Sequence, residues 1–168
     1  MKSLKVLLIG LAVFAAGLSH AHAENRWTED EVQAYWRSIQ QASRIRVPDT
    51  TFAETPGDRP YTDTATRRVY LPAVPMGDYL RRVLWHEAGH AVHLAHPGLV
   101  EPYLRLRELR GVFAAAWWEP FAEDFVVCYG ADTAAWSYWR FLGRPSQEVC
   151  AVLGIPRRGT GGGRVLRL

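Results

Sequence analysis

The segment HEAGH at residues 86–90, with two histidines four residues apart, constrains this chain most. On an α-helix, two side chains with that spacing project from one face, offset by about 40°. Asp78 can cap such a helix, and the His-Pro-Gly at residues 96–98 stops it, since proline disfavours helical geometry in the residue before it. The sequence therefore predicts a helix over residues 78–95 that presents both histidines side by side.

His86 and His90 are candidate metal ligands, and Glu87 is a candidate general base. Two imidazoles on one helix face can bind one zinc ion, and a neighbouring carboxylate can accept a proton from water whose pKa the metal lowers to about 7. All the histidines after residue 23 fall between His86 and His96, which argues against a chance match. We expect one zinc ion per chain.

A third ligand is needed, and the sequence offers two kinds. The run from His86 to His96 has the spacing of the metzincins, but His93 stands where that family has a turn-making glycine. A continuing helix would place His96 about 15 Å from His86 along the axis, too far to share an ion. His93, two turns after His86, lies on the ligand face and could hydrogen-bond near the cleft.

The second source is the run EPFAEDF at residues 119–125, on a helical segment that could pack against the first. Together with HEAGH, this run resembles gluzincin peptidases, in particular the group of anthrax lethal factor and Pro-Pro endopeptidases. The resemblance covers residues 83–125. It implies a zincin-like fold, zinc-dependent cleavage of peptide or protein substrates, Glu119 as third ligand, and Glu123 as a carboxylate behind the ligands that orients a ligating histidine.

The second motif departs from that pattern at Pro120, where the helix should be continuous. Glu119 then lies either at a helix start, with proline in the first turn, or before a kink. Glu123 therefore stays open as the alternative ligand.

The group of peptidases also places a tyrosine about two turns before the ligating glutamate, to stabilise the oxyanion. Here those positions hold Val112 and Phe113. The oxyanion donor is left unassigned, with Tyr103 and Tyr129 as guesses. A secreted zinc-binding module without catalysis, or a structural domain with a chance motif, are the alternatives to a peptidase.

The predicted fold is a small α+β domain: an N-terminal helix and a short mixed sheet, followed by the motif helix and C-terminal helices. Thr28 and Glu31 form a capping box for the first helix, and the last strand resembles the edge strand along which zincins align substrates. Strands are predicted at 45–47, 51–53, 60–62 and 67–71, and helices at 27–42, 103–109, 112–129 and 133–142.

The N-terminus reads as a signal peptide, with Lys2 and Lys5, an apolar run at residues 6–18 and the small-x-small site AHA at residues 21–23. The run is shorter than the about 20 residues that cross a bilayer. We expect cleavage after residue 23, export to the periplasm, cell envelope or medium, one domain over residues 24–156, and a solvated basic, glycine-rich tail at 157–168.

The net charge limits the classes of binding partner, and the cysteine content bears on disulfide bonding. After residue 23 the chain has 18 arginines against 17 acidic residues, a net charge of 18 − 17 = +1, which argues against nucleic-acid binding. We expect a monomer. An oxidising compartment would permit a disulfide between Cys128 and Cys150. The aromatic residues near the two motifs could line a substrate cleft but are expected mainly in the core: Trp85, Trp117, Trp118, Phe121 and Phe125.

Overall fold

The Thr28–Glu31 capping box begins the first helix as predicted: the Thr28 side chain accepts from the Glu31 amide, and the Glu31 carboxylate accepts from the Thr28 amide. The computed structural model describes residues 26–129 and 143–155. Within these residues, six α-helices and a three-stranded mixed sheet confirm the predicted α+β class. The elements are α1 (Glu29–Ala42), β1 (Thr51–Glu54), β2 (Tyr61–Thr62), β3 (Arg68–Leu71), α2 (Asp78–Ala95), a 3₁₀ turn (Pro97–Leu99), α3 (Val100–Arg107), α4 (Val112–Ala115), α5 (Trp118–Cys128) and α6 (Gln147–Val152).

The sheet has the order β1-β3-β2, with β1 parallel and β2 antiparallel to β3. Val69 and Leu71 of β3 are fully buried, while Tyr70 between them is half-buried. This alternation follows from the two-residue period of a strand. Because β3 is the central strand, the prediction that residues 67–71 form an edge is wrong. The edge strand on that side is β2.

Helix α2 runs through the middle of the core. Its fully buried apolar side chains include Leu80, Val83 and Leu84, and α1 and α5 pack against it. The prediction that Asp78 caps this helix is wrong. Gly77 is the N-cap, without a side-chain hydrogen bond, and Asp78 is the first helical residue. A carboxylate there still interacts favourably with the helix dipole. The helix ends at Ala95, as predicted.

Pro120 accounts for the break in the helix predicted over residues 112–129. A proline ring clashes with the carbonyl four residues earlier, which is that of Ala116. The chain accordingly turns at residues 116–117, and the Glu119 amide donates to Ala116 O at 3.1 Å. Glu119 therefore lies in the first turn of α5, which is one of the two predicted placements.

Residues 45–47 do not form the predicted strand. Val47 O accepts a hydrogen bond from the Gln40 side chain at 3.2 Å, and the Arg46 carbonyl is contacted by the His96 ring at 2.7 Å. The next carbonyl, Pro48 O, accepts from the Trp36 indole at 3.0 Å. Helix α3 begins and ends earlier than predicted, and α6, which Ser146 caps, was not predicted at all.

Two contacts secure α5. Its buried Asp124 accepts hydrogen bonds from the Tyr103 hydroxyl at 2.8 Å and from Arg107 Nε at 2.7 Å. Burial raises the pKa of Asp124 to about 6, although Arg107 and Tyr103 oppose this shift. At the far end of the helix, Cys128 forms a disulfide with Cys150 of α6, with Cα atoms 5.3 Å apart.

The predicted signal peptide, the predicted helix at residues 133–142 and the tail from residue 157 lie outside the described residues. Among the helices of the described part, none combines the length and the apolar character needed to cross a bilayer.

Candidate metal centre

His86 and His90 lie one turn apart on the face of α2 that meets α5. Their exposed fractions are 6% and 8%, and their Nε2 atoms are 3.0 Å apart. The rings meet edge to face, with centroids 4.7 Å apart. The i, i+4 spacing thus brings the two nitrogens together, as the sequence predicted.

Gly89, between the two histidines, lets α5 approach closely. A Cβ atom placed on it would lie 2.6 Å from the Cα of Ala122, closer than side-chain carbons come to backbone. Ala122 stands between Glu119 and Glu123 in sequence, so this contact sets both carboxylates against the histidines. The sequence reading had given Gly89 no role.

The Glu119 carboxylate reaches both histidines. One of its oxygens lies 3.3 Å from His86 Nε2 and the other lies 3.6 Å from His90 Nε2. The Glu119 side chain, which is one-third exposed, therefore forms a triangle with the two Nε2 atoms at the base of a cleft.

Glu87 stands beside this triangle, and one atom each of His86, Glu87 and His90 lie within 4.8 Å of one another. These three buried groups could hold a metal ion. Thr62 of β2 donates its hydroxyl proton to Glu87 Oε2 at 2.6 Å, which fixes the carboxylate from the side of the sheet. Thr62 was missed by the sequence reading, because only the pairing of strands brings it to α2.

Glu123 lies behind the cluster, one turn after Glu119. Its Oε1 is 3.1 Å from His86 Nδ1, the nitrogen on the far side of the ring from the triangle, and its side chain is 3% exposed. Of the two glutamates, Glu119 therefore faces Nε2 of both histidines, and Glu123 faces Nδ1 of one.

The electrostatics fit a cation at this point. Burial alone would lower the pKa of His86, but Glu119 and Glu123 outweigh it and raise that pKa to about 10. Burial and the charge of His86 lower the pKa of His90 well below its usual value. Two ring nitrogens 3.0 Å apart have room for one proton between them, and the surrounding carboxylates favour positive charge there. A metal ion would supply that charge to the same donor atoms.

Burial shifts the pKa values of Glu87 and His93 in opposite directions. Burial raises the pKa of Glu87, while His86 and Thr62 partly oppose the shift. Burial lowers the pKa of His93 to about 4. Burial therefore opposes charge on both side chains.

The cluster opens into a cleft of about 920 Å³. Tyr61 and Thr62 of β2 line it beside Glu87, and Trp118 of α5 lines it beside Glu119. Tyr61 is 45% exposed and stacks on Tyr70, whereas Trp118 is 41% exposed. Trp118 had been expected mainly in the core, and its position in the first turn of α5 puts it in the cleft instead.

Three residues considered from the sequence lie away from the cluster. His96 contacts the carbonyl of Arg46 at 2.7 Å, consistent with its exclusion as a ligand. The Tyr103 hydroxyl donates to Asp124, and the Tyr129 hydroxyl donates to Leu153 O. Neither tyrosine lines the cleft, so both guesses for an oxyanion donor are wrong.

No protein-family model, no curated protein and no solved structure matches this chain.

Proposed function

We propose that this chain is an exported zinc-dependent endopeptidase of the zincin type, with Glu119 completing the ligand set. The observation that carries the proposal is the convergence of His86 Nε2, His90 Nε2 and the Glu119 carboxylate, with Glu87 fixed beside them in an open cleft. The predicted signal peptide supports export.

The donor set and its spacing favour zinc. Structural and catalytic zinc sites use imidazole and carboxylate ligands at about 2.0–2.2 Å, and tetrahedral geometry then sets ligand atoms about 3.3 Å apart. The corresponding distances are 3.0, 3.3 and 3.6 Å. Three protein ligands leave a fourth position for water or substrate, as catalytic zinc sites require.

Glu119 is the better third ligand and Glu87 the better base. Both oxygens of Glu119 face the ligand nitrogens, whereas Glu87 already accepts a hydrogen bond from Thr62. The same hydrogen bond holds the Glu87 carboxylate at the cleft, where it can take a proton from water. Glu123, against His86 Nδ1, fixes the orientation of that imidazole.

The proposed reaction is hydrolysis of a peptide bond. Zinc, when bound, polarises the scissile carbonyl and lowers the pKa of water. Glu87 removes a proton from the water as its oxygen attacks the carbonyl carbon. Glu87 then gives that proton to the amine nitrogen as the C–N bond breaks. Tyr61 and Trp118, exposed on the cleft wall, would contact apolar side chains of the substrate.

Cleavage of a quenched-fluorescent peptide library by the zinc-loaded chain tests this function. We expect Glu87→Gln to keep its zinc and to lose about 100- to 10,000-fold in cleavage rate, the usual contribution of a general base. Glu101→Gln is the matched control, since that side chain is 87% exposed on α3 and lies outside the cleft.

Two outcomes would contradict the proposal. Full activity in a zinc-loaded Glu87→Gln variant would remove the assigned base. Stoichiometric zinc without cleavage of any library member by the wild type would instead identify a zinc-binding module without catalytic activity.

A further inference from the structure

His93 is the remaining histidine of the cleft wall, one turn beyond His90 on α2. Its ring lies among aromatic side chains, with centroids 5.0 Å from Trp117 and 5.6 Å from Phe121, both edge to face. These contacts restrict the rotation of the ring, so that its orientation is fixed by packing.

The fixed ring faces the outer nitrogen of His90: His93 Nε2 lies 3.3 Å from His90 Nδ1. When His90 binds a metal through Nε2, its remaining proton must reside on Nδ1. A hydrogen bond at this contact then requires His93 to accept through Nε2 and to carry its own proton on Nδ1.

We propose that His93 is a positioning residue for the metal centre, which accepts the Nδ1 proton of His90 and thereby holds that ligand in its metal-binding tautomer and orientation. The inference rests on the metal-binding part of the proposed function. It assigns His93 no contact with metal or substrate.

The two ligand histidines then have different outer partners. His86 Nδ1 faces the carboxylate of Glu123 at 3.1 Å, and His90 Nδ1 faces the neutral imidazole of His93 at 3.3 Å. A neutral acceptor orients a ligand without adding negative charge. This matters here because Glu87, Glu119 and Glu123 already surround the cluster.

Zinc affinity of the full chain, measured by competition with a chromophoric chelator, tests the proposal. We compare His93→Gln with His93→Met, because the two side chains have similar length and only glutamine offers a strong acceptor. Loss of an outer partner usually weakens metal binding by about 10- to 100-fold. We expect that loss in His93→Met and an affinity close to wild type in His93→Gln. His96→Met, which removes a histidine bonded to Arg46 O outside the cluster, is the control and should bind as the wild type does.

A readout that needs no substitution is the nitrogen NMR spectrum of the imidazoles in the zinc-loaded wild type. We expect a protonated Nδ1 on both His90 and His93, with a hydrogen bond from His90 to an unprotonated His93 Nε2. A proton on His93 Nε2 would overturn the proposal even if the variants failed to fold.

The affinity outcomes separate this inference from the function on which it rests. Equal zinc affinity in wild type and His93→Met would overturn the role of His93 and leave the zinc site standing. Equal weakening in both His93 variants would also overturn it, because the effect would then come from packing. No zinc binding by the wild type would overturn the proposed function itself.

Discussion

Replacing Gly89 with alanine should separate the two helices that build the proposed metal centre. A Cβ at this position would lie 2.6 Å from the backbone Cα of Ala122, where ordinary contacts begin at 3.4 Å. The shortfall is 3.4 − 2.6 = 0.8 Å. Because the obstacle is backbone, no side-chain rotation can relieve it, and α2 and α5 must move apart.

The expected magnitude has two parts. Overpacking of a core usually costs about 1–3 kcal/mol, whereas alanine in place of a helical glycine returns about 1 kcal/mol. A backbone obstacle places the overpacking near its upper end, so we expect a net loss of about 2 kcal/mol in the free energy of unfolding. Because Glu119 moves with α5, zinc affinity should fall by about 100-fold. Removing a group that only orients a ligand already weakens metal binding by about 10- to 100-fold.

Urea unfolding of the metal-free chain and chelator competition of the zinc-loaded chain measure these two effects. Gly98→Ala is the matched control, since a Cβ at Gly98 meets nothing within 4 Å. Gly89→Ala with wild-type stability and zinc affinity would refute the argument that this glycine sets the spacing of α2 and α5.

Two further predictions concern the supports of the site. Arg107→Met leaves Asp124 buried without its cation. The pKa of Asp124 in the folded chain is about 6, above its usual value of 3.8, so the fold favours the protonated form and stability falls as pH rises from the usual pKa to the folded one. Arg107 opposes this shift, so its removal raises the pKa of Asp124 further and makes the loss at neutral pH larger. Urea unfolding of Arg107→Met should therefore show a loss of about 3 kcal/mol in the free energy of unfolding at pH 7 and a smaller loss at pH 5. The control Arg105→Met removes an exposed ion pair and should change stability by less than about 1 kcal/mol at either pH. An equal loss in Arg107→Met at both pH values would contradict the Asp124 argument. Thr62→Val removes the hydrogen bond to Glu87 Oε2. Since a hydrogen bond to a charged group contributes about 1.5–3 kcal/mol, the rate of peptide cleavage should fall about 10- to 150-fold with zinc retained. Thr64→Val, on the same cleft wall, is the control, and equal rates in the two variants would contradict the role of Thr62.

The elements that the sequence predicted well are those with local causes. The capping box at Thr28 needs only Glu31, and the end of α2 needs only the His-Pro-Gly segment that follows it. The proximity of His86 and His90 is equally local, because helix geometry alone places residues four apart on one face. These parts of the fold and of the site could be predicted without knowledge of the tertiary contacts.

The parts that were missed depend on contacts between distant segments. Thr62 reaches Glu87 only because β2 pairs with the edge of β3 opposite β1. No local sequence pattern predicts that order of strands. Gly89 reads as a weak helix residue until α5 is placed against it. Residues 45–47 have strand-like composition, yet the Val47 carbonyl accepts a hydrogen bond from Gln40 of α1, and the Arg46 carbonyl is contacted by His96.

The two glutamates of the second motif illustrate the boundary between these cases. Sequence spacing left Glu119 and Glu123 both open as the third ligand. The packing of α5 on α2 places the Glu119 oxygens at the Nε2 atoms and Glu123 at Nδ1 of His86. The face of α5 that packs on α2 decides which glutamate reaches the Nε2 atoms. The close contact between Gly89 and Ala122 sets that face.

The metal content of the purified full chain, by elemental analysis after incubation with zinc and dialysis, tests the central claim most directly. We predict about one zinc ion per chain in the wild type and in Glu101→Gln, and its loss in Glu119→Gln, because removing one of three protein ligands leaves the site incomplete. A wild type that retains no zinc, or a Glu119→Gln variant that retains it fully, would contradict the assigned metal centre.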